Sequence, residues 1–124
     1  MKKVLIVEDE EALSEIYATA IEKYGFQTTV VNTVAHALDN LSKNKPDLIL
    51  LDIKLPDASG LVVLQKTREQ YPKMPVIICT AFDQEKLEQT VGINVLINTA
   101  TDYLIKPVKL NDLTGKIKTL LGQN

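Results

Sequence analysis

Five short, β-branched, apolar runs constrain this chain more than any other feature, because each is followed by a stretch in which apolar residues recur at helical spacing. The runs lie at Val4 to Val7, Thr28 to Val31, Leu48 to Leu51, Val76 to Cys79 and Tyr103 to Ile105. A hydrophobic period that switches five times between the strand and helix values predicts a (βα)₅ α/β chain. Several of the runs are continuous rather than alternating, as expected for central strands of a parallel sheet covered on both faces. Right-handed crossovers then leave an open, doubly wound parallel sheet of order 2-1-3-4-5 as the simplest topology, since a closed barrel would need eight units. A chain of 124 residues, 45% of them hydrophobic, fits one domain over residues 1–124. It can bury roughly two-thirds of its unfolded surface. The sequence contains no internal repeat, low-complexity tract or linker.

The first helix is the clearest. Leu13, Ile16, Tyr17, Ala20, Ile21 and Tyr24 fall on one face, and Gly25 is placed as a left-handed stop. A second helix is predicted from Val34 to Ser42 behind Thr33 as N-cap, burying Val34, Leu38 and Leu41 and leaving the lone His36 in solvent. A third begins after Gly60, buries Leu61, Leu64 and the stem of Arg68, and ends before Pro72. The last buries Leu113, Ile117, Leu120 and Leu121 and stops at Gly122, with Gly115 weakening its middle.

In an open parallel sheet, ligands bind beyond the carboxyl ends of the strands, where the strand order reverses. Here that point lies between strands 1 and 3. Strand 1 runs out into Glu8 and Asp9, strand 3 into Asp52, strand 4 into Thr80 and strand 5 into Lys106. Three converging carboxylates persist only if a cation neutralises them or a pKa rises. Mg²⁺, which favours oxygen ligands and is held by a few carboxylates plus water and phosphate, suits the cluster. The Thr80 hydroxyl and the Lys106 ammonium are donors of the kind that surround a transferring phosphoryl group. Asp52 follows the central strand and is assigned as nucleophile, with Glu8 and Asp9 as the metal-holding pair. Glu10 and Glu11 are assigned only to capping the helix that follows.

Other classes are disfavoured. A net charge of −2 and a pI near 5.4 give no basic footprint for direct nucleic-acid binding. The apolar runs are far shorter than the roughly 20 residues that span a bilayer, and the charged start leads into no signal-peptide core, so a cytoplasmic protein without membrane insertion is expected. Cys79, the single cysteine, sits in an apolar run and is expected to pack in the core.

Four motifs together resemble the receiver domains of two-component response regulators, chemotaxis-regulator-like, over Lys3 to Leu121. They are Val7-Glu8-Asp9-Glu10, Asp52-Ile53-Lys54-Leu55-Pro56-Asp57-Ala58-Ser59-Gly60, Thr80-Ala81 and Asp102-Tyr103-Leu104-Ile105-Lys106-Pro107. The resemblance implies a flavodoxin-like fold with Asp52 as phosphoacceptor, Asp9 and Asp52 as direct Mg²⁺ ligands, and Glu8 as a ligand through water. Lys54 would add its backbone carbonyl. It further implies Thr80 as a switch hydroxyl, Tyr103 as an aromatic that rotates inward behind it, Lys106 as the phosphate-pairing lysine, and a cis Lys106-Pro107 bond. The implied partners are a histidine kinase or histidine phosphotransfer protein and a downstream effector protein, with a homodimer possible through the face of the fourth helix, fifth strand and fifth helix. No enzyme activity is implied beyond the protein's own aspartyl phosphorylation and slow autodephosphorylation. Activation would be a population shift between two pre-existing conformations.

The chain departs from the pattern in one interval. Twenty-five residues separate Thr80 from Lys106, a few more than usual, and Asn98-Thr99-Ala100-Thr101 stands where a Gly-Ala pair is common. Gly92 to Thr101 is either a longer fourth helix or a helix broken near Gly92. Lys54 and Phe82, two residues beyond the acceptor and the switch hydroxyl, are expected to tune water access to the acyl phosphate. Three alternatives remain open. A haloacid-dehalogenase-like phosphatase lacks its second aspartate here, because Lys54 occupies that position. An FMN binder would need a glycine- and hydroxyl-rich phosphate loop where Glu8 and Asp9 stand. A receiver-like interaction module independent of phosphorylation is the third.

Overall fold

The computed structural model describes residues 1–81 and 98–122. The apolar runs become five strands, β1 (Lys3–Val7), β2 (Gln27–Val31), β3 (Leu48–Leu51), β4 (Val76–Thr80) and β5 (Asp102–Ile105). They form one parallel sheet of order β2-β1-β3-β4-β5, as predicted. Four described helices connect or follow them: α1 (Glu11–Glu22), α2 (Val34–Lys43), α3 (Leu61–Gln70) and α4 (Leu110–Leu120). β3 and β4 are buried along their whole length and β1 from its second residue, because helices cover both of their faces. Alternate strand residues enter two cores. Leu5, Val7, Ile49, Leu51 and Ile78 pack with Val34, Leu41, Leu61 and Leu64 of α2 and α3. Val4, Ile6, Leu50, Ile77 and Cys79 pack on the other face with Tyr17 and Ile21 of α1 and Leu113 and Ile117 of α4. Each such fully buried aliphatic side chain contributes about 1.5–3 kcal/mol relative to exposure, so the sheet is the part of the molecule least able to move.

Register carries this rigidity to the sheet's carboxyl edge. Val7 pairs with Leu51 across β1 and β3, and Asp52 N donates to the Val7 carbonyl at 3.0 Å, so the residues that follow emerge side by side. On the far side, Thr80 pairs with Ile105, and Lys106 N donates to the Thr80 carbonyl at 2.8 Å.

The helix boundaries follow their caps. Thr33 Oγ1 accepts the His36 amide at 3.0 Å, as an N-cap should, and Gly25 at φ 89° and Gly122 at φ 73° end α1 and α4 in the left-handed region. Gly115 leaves α4 unbroken. Two expectations for α1 fail. Its buried stripe runs through Ser14, Tyr17 and Ile21, which leaves Ile16 on the flank and 48% exposed. Tyr24 lies beyond the helix end, exposed, with the Lys118 ammonium 4.3 Å from its ring centroid. Glu10 occupies the N-cap position but its side chain makes no capping hydrogen bond, so Glu10 and Glu11 act on α1 through charge alone.

The fourth helix expected between β4 and β5, Phe82, and residues 92–97 of the Gly92 to Thr101 segment lie outside the described residues. The described end of that segment is pinned. Arg68 donates to the carbonyls of Thr99 at 2.9 Å and Met74 at 2.7 Å. Thr101 bonds Val76 twice, its amide donating to the Val76 carbonyl at 2.8 Å and its Oγ1 accepting the Val76 amide at 3.0 Å. The Asn98 to Thr101 stretch thus leads into β5 through a turn whose last side chain substitutes for a strand hydrogen bond.

Candidate functional site

Glu8, Asp9 and Asp52 sit where β1 and β3 end, and each offers a carboxylate oxygen within 4.8 Å of the others. Their environments differ. Glu8 is 3% exposed and Asp52 6%, while Asp9 opens to solvent. Two carboxylates carried into the interior require a counter-charge. Lys106, delivered by the end of β5, supplies it: its Nζ lies 2.5 Å from Glu8 Oε1 and 2.9 Å from Asp52 Oδ2. Burial alone would lower the Lys106 pKa, but the two carboxylates more than reverse this and raise it. Glu8 shows the other side of the same account. Burial pushes its carboxyl above the usual carboxylate range, and the Lys106 ammonium and Glu10 amide only partly offset that. One ammonium shared by two buried carboxylates, with a third beside them, leaves the site short of positive charge. The oxygen-only donor set is what a hard divalent cation takes, so the residues present fit one.

Thr80 ends β4 and is fully buried, with no hydrogen-bond partner for its hydroxyl among the described residues. An unpaired buried hydroxyl costs stability, which singles Thr80 out from the other residues of β4. Tyr103 is half-buried on β5 and packs against the α2–α3 core beside Ala100. Lys54 is exposed, and its amide donates to Asp52 Oδ1 at 3.2 Å, which fixes one face of the Asp52 carboxylate. The structure therefore gathers Glu8, Asp9, Asp52, Thr80 and Lys106 at one edge, with Lys54 on the loop above it and Tyr103 on the neighbouring strand.

Two residues of the loop were not assigned a role from sequence. A Cβ at Gly60 would stand 2.0 Å from the Asp52 carbonyl oxygen, and the Gly60 amide donates to the Ile53 carbonyl at 2.6 Å. The loop thus folds back onto the Asp52 backbone, an approach only glycine permits. Asp57 reaches across to α2 and accepts two of its amides. The Pro56-Asp57-Ala58-Ser59-Gly60 string signals a tight turn but carries no sign of so distant a partner. Cys79, expected in the core, is buried there with its thiol 3.7 Å from the Tyr17 hydroxyl and its pKa pushed up to about 11, chiefly by burial. Among the described residues no helix is long and apolar enough to cross a membrane.

Comparison with known proteins agrees with this geometry. The chain is 38% identical over 121 residues to the sensory transduction protein RegX3 of Mycolicibacterium smegmatis, covering 98% of this chain and 51% of that protein. It is 36% identical to the KDP operon transcriptional regulatory protein KdpE of Escherichia coli, covering 100% of this chain and 53% of that protein. The chain thus spans about half the length of the curated relatives it matches. Among solved structures, a CheY-like receiver domain protein from Methanospirillum hungatei superimposes with a TM-score of 0.86 at 31% identity, covering 98% of this chain and 94% of that one. TrrA of Thermotoga maritima, a response regulator solved in complex with Mg²⁺ and BeF, gives 0.84 at 26% identity, covering 97% and 99%. The response regulator receiver domain family matches residues 4–118, and with the acidic pocket of Glu8, Asp9 and Asp52 at the fold's switch point, this chain belongs to that family of two-component signalling domains.

Proposed function

We propose that Asp52 accepts a phosphoryl group from a phosphohistidine on a histidine kinase or histidine phosphotransfer protein, and that the resulting charge switches the domain's conformation toward an effector protein. The observation that supports this most directly is the pairing of a buried, Lys106-bound Asp52 carboxylate with a partnerless Thr80 hydroxyl at the same edge. In the transfer, a bond forms between an Asp52 carboxylate oxygen and phosphorus while the donor's P–N bond breaks, and the histidine nitrogen keeps the electron pair. Lys106 already faces the acceptor oxygen and is placed to pair with a phosphoryl oxygen. The Lys54 amide orients the other carboxylate oxygen. Glu8, Asp9, Asp52 and the Lys54 carbonyl would hold Mg²⁺, which when bound supplies charge neutralisation for the phosphoryl oxygens. Thr80 and Tyr103 are the groups proposed to move, the hydroxyl toward the phosphoryl group and the ring behind it. Their movement is a population shift, since a new acceptor for the Thr80 hydroxyl favours only the conformation that reaches it.

The test is incubation with Mg²⁺ and acetyl phosphate followed by intact mass, with Asp52→Asn and an EDTA sample alongside. Gain of one labile phosphoryl group, absent in both controls, is the expected result. No gain in the wild-type protein would refute the reading and leave a phosphorylation-independent interaction module.

A further inference from the structure

Helix α2 and the loop that carries the acceptor are distant in sequence, and one side chain joins them. Asp57 Oδ1 accepts the Val34 amide at 2.9 Å and its Oδ2 accepts the Ala35 amide at 3.0 Å, across 23 and 22 residues. Thr33 Oγ1 accepts the third free amide, that of His36. The first turn of α2 is thus capped by two independent groups, one local and one belonging to the acceptor loop. A carboxylate is the favoured group at a helix N-terminus, and the two amides hold the Asp57 carboxyl below its ordinary range.

The far end of the same loop is fixed by different means. Ser59 Oγ accepts the Leu61 amide at 3.2 Å at the start of α3, and Gly60 rests on the Asp52 carbonyl. Between these anchors the backbone of residues 53–58 has few ties of its own. They are Lys54 N to Asp52 Oδ1, the Gly60 amide to the Ile53 carbonyl, a bridge between Lys54 and Ser59, and the Asp57 clamp, with the Ile53 and Leu55 side chains buried in the core. Ile53 and Leu55 anchor the inner part of the loop in the core, so release from α2 frees its exposed turn over residues 56–59 and slackens, through the chain, the Lys54 amide against Asp52. We propose that Asp57 is a positioning residue for phosphoryl transfer to Asp52, clamping the acceptor loop onto the N-terminus of α2 so that the backbone at Lys54 is held in register with the site. The inference rests on the function proposed above.

Thr33 provides the matched control. Thr33→Ala and Asp57→Ala each remove capping from the same helix turn, but only Asp57 is attached to the loop. In the metal-free protein, hydrogen exchange over residues 52–60 should rise in Asp57→Ala and stay at the wild-type level in Thr33→Ala, although both lower Tm. With acetyl phosphate and Mg²⁺ at a temperature where all variants are folded, Asp57→Ala should label Asp52 about tenfold more slowly and Thr33→Ala at the wild-type rate. Asp57→Asn, which keeps one acceptor oxygen, should recover part of both effects. Equal behaviour of the two alanine variants in loop exchange, or unchanged exchange and rate in Asp57→Ala, would overturn the clamp. A wild-type protein that takes no phosphoryl group would refute the functional reading instead, while the exchange comparison still decides whether Asp57 holds the loop.

Discussion

Gly60→Ala places a methyl group where there is no room for one. Its carbon would lie 2.0 Å from the Asp52 carbonyl oxygen, 2.9 Å from Ile53 Cα and 3.0 Å from the Asp52 carbonyl carbon. All three are backbone atoms, so no side chain can rotate away, and the loop must part from β3 by about 1 Å to relieve the closest contact. The backbone itself suits alanine, with φ −59° and ψ −19°. Reduced freedom of the unfolded chain therefore returns about 0.4–1 kcal/mol against an overpacking cost of about 1–3 kcal/mol. A net loss of about 1–2 kcal/mol is expected, which lowers Tm by about 4–8 °C in a domain of this size. The displaced carbonyl belongs to Asp52, the proposed acceptor, and a displacement of about 1 Å at a reacting group can cost up to about 100-fold in rate. Thermal melts and timed intact-mass labelling measure both effects. Gly115→Ala is the control: nothing lies within 4 Å of the added methyl in the middle of α4, so it should gain about 0.5–1 kcal/mol. If Gly60→Ala melts and labels like wild type, the close approach of this loop does not fix the acceptor.

Two other variants and one chemical probe address separate parts of the molecule. Thr80→Val replaces a buried, partnerless hydroxyl with a methyl of similar shape. It should raise metal-free stability by about 1 kcal/mol in denaturant titrations while weakening the phosphorylation-dependent change in hydrogen exchange. Asp102 is half-exposed and bonded to Lys116 at 2.6 Å; burial would raise its pKa, but Lys116 and the Tyr103 amide outweigh this and lower it. The stability it contributes, under about 1 kcal/mol after solvent screening, is full above the unfolded value near 3.9 and lost as pH falls through the lower folded value. Chemical denaturation of wild type and Asp102→Asn across pH should show that difference closing in acid. Cys79, buried and with its thiol shifted to about 11, should resist iodoacetamide at neutral pH in the native protein and react once it is unfolded.

The sheet was legible in the sequence because burial on both faces demands uninterrupted apolar runs, and Val4 to Val7, Leu48 to Leu51 and Val76 to Cys79 supply them. The site was legible for a related reason. A strand that must stop being apolar at the sheet's edge shows its first polar residue there, and Glu8, Asp52 and Lys106 are those residues. Helical spacing was less decisive. It placed Tyr17 and Ile21 correctly, yet Ile16 is equally consistent with the period, and only the neighbours of α1 determine which flank is covered. Side-chain bonds to distant backbone left no trace at all. Neither the Asp57 clamp on α2 nor the Arg68 contact with Thr99 follows any periodicity, because each depends on a helix meeting a loop distant in sequence. Thr101, read as a departure from the family's Gly-Ala pair, turned out to complete the hydrogen bonding of β4.

Lys106 stands at the end of the last strand, yet it neutralises carboxylates from the first and third, 98 and 54 residues earlier. Its ammonium serves as a resident counter-ion, which separates the supply of divalent cation from the integrity of the fold. Proteins that assemble around a metal come apart when the ion is withdrawn. Here, on the proposed function, withdrawing the ion would stop phosphoryl transfer to Asp52 while the domain stayed folded, and a returning ion would find its oxygen ligands already gathered. The same arrangement sets the order of assembly. The acidic edge of β1 and β3 lacks this counter-charge until β5 docks, so the contact that supplies it spans 98 residues of the chain.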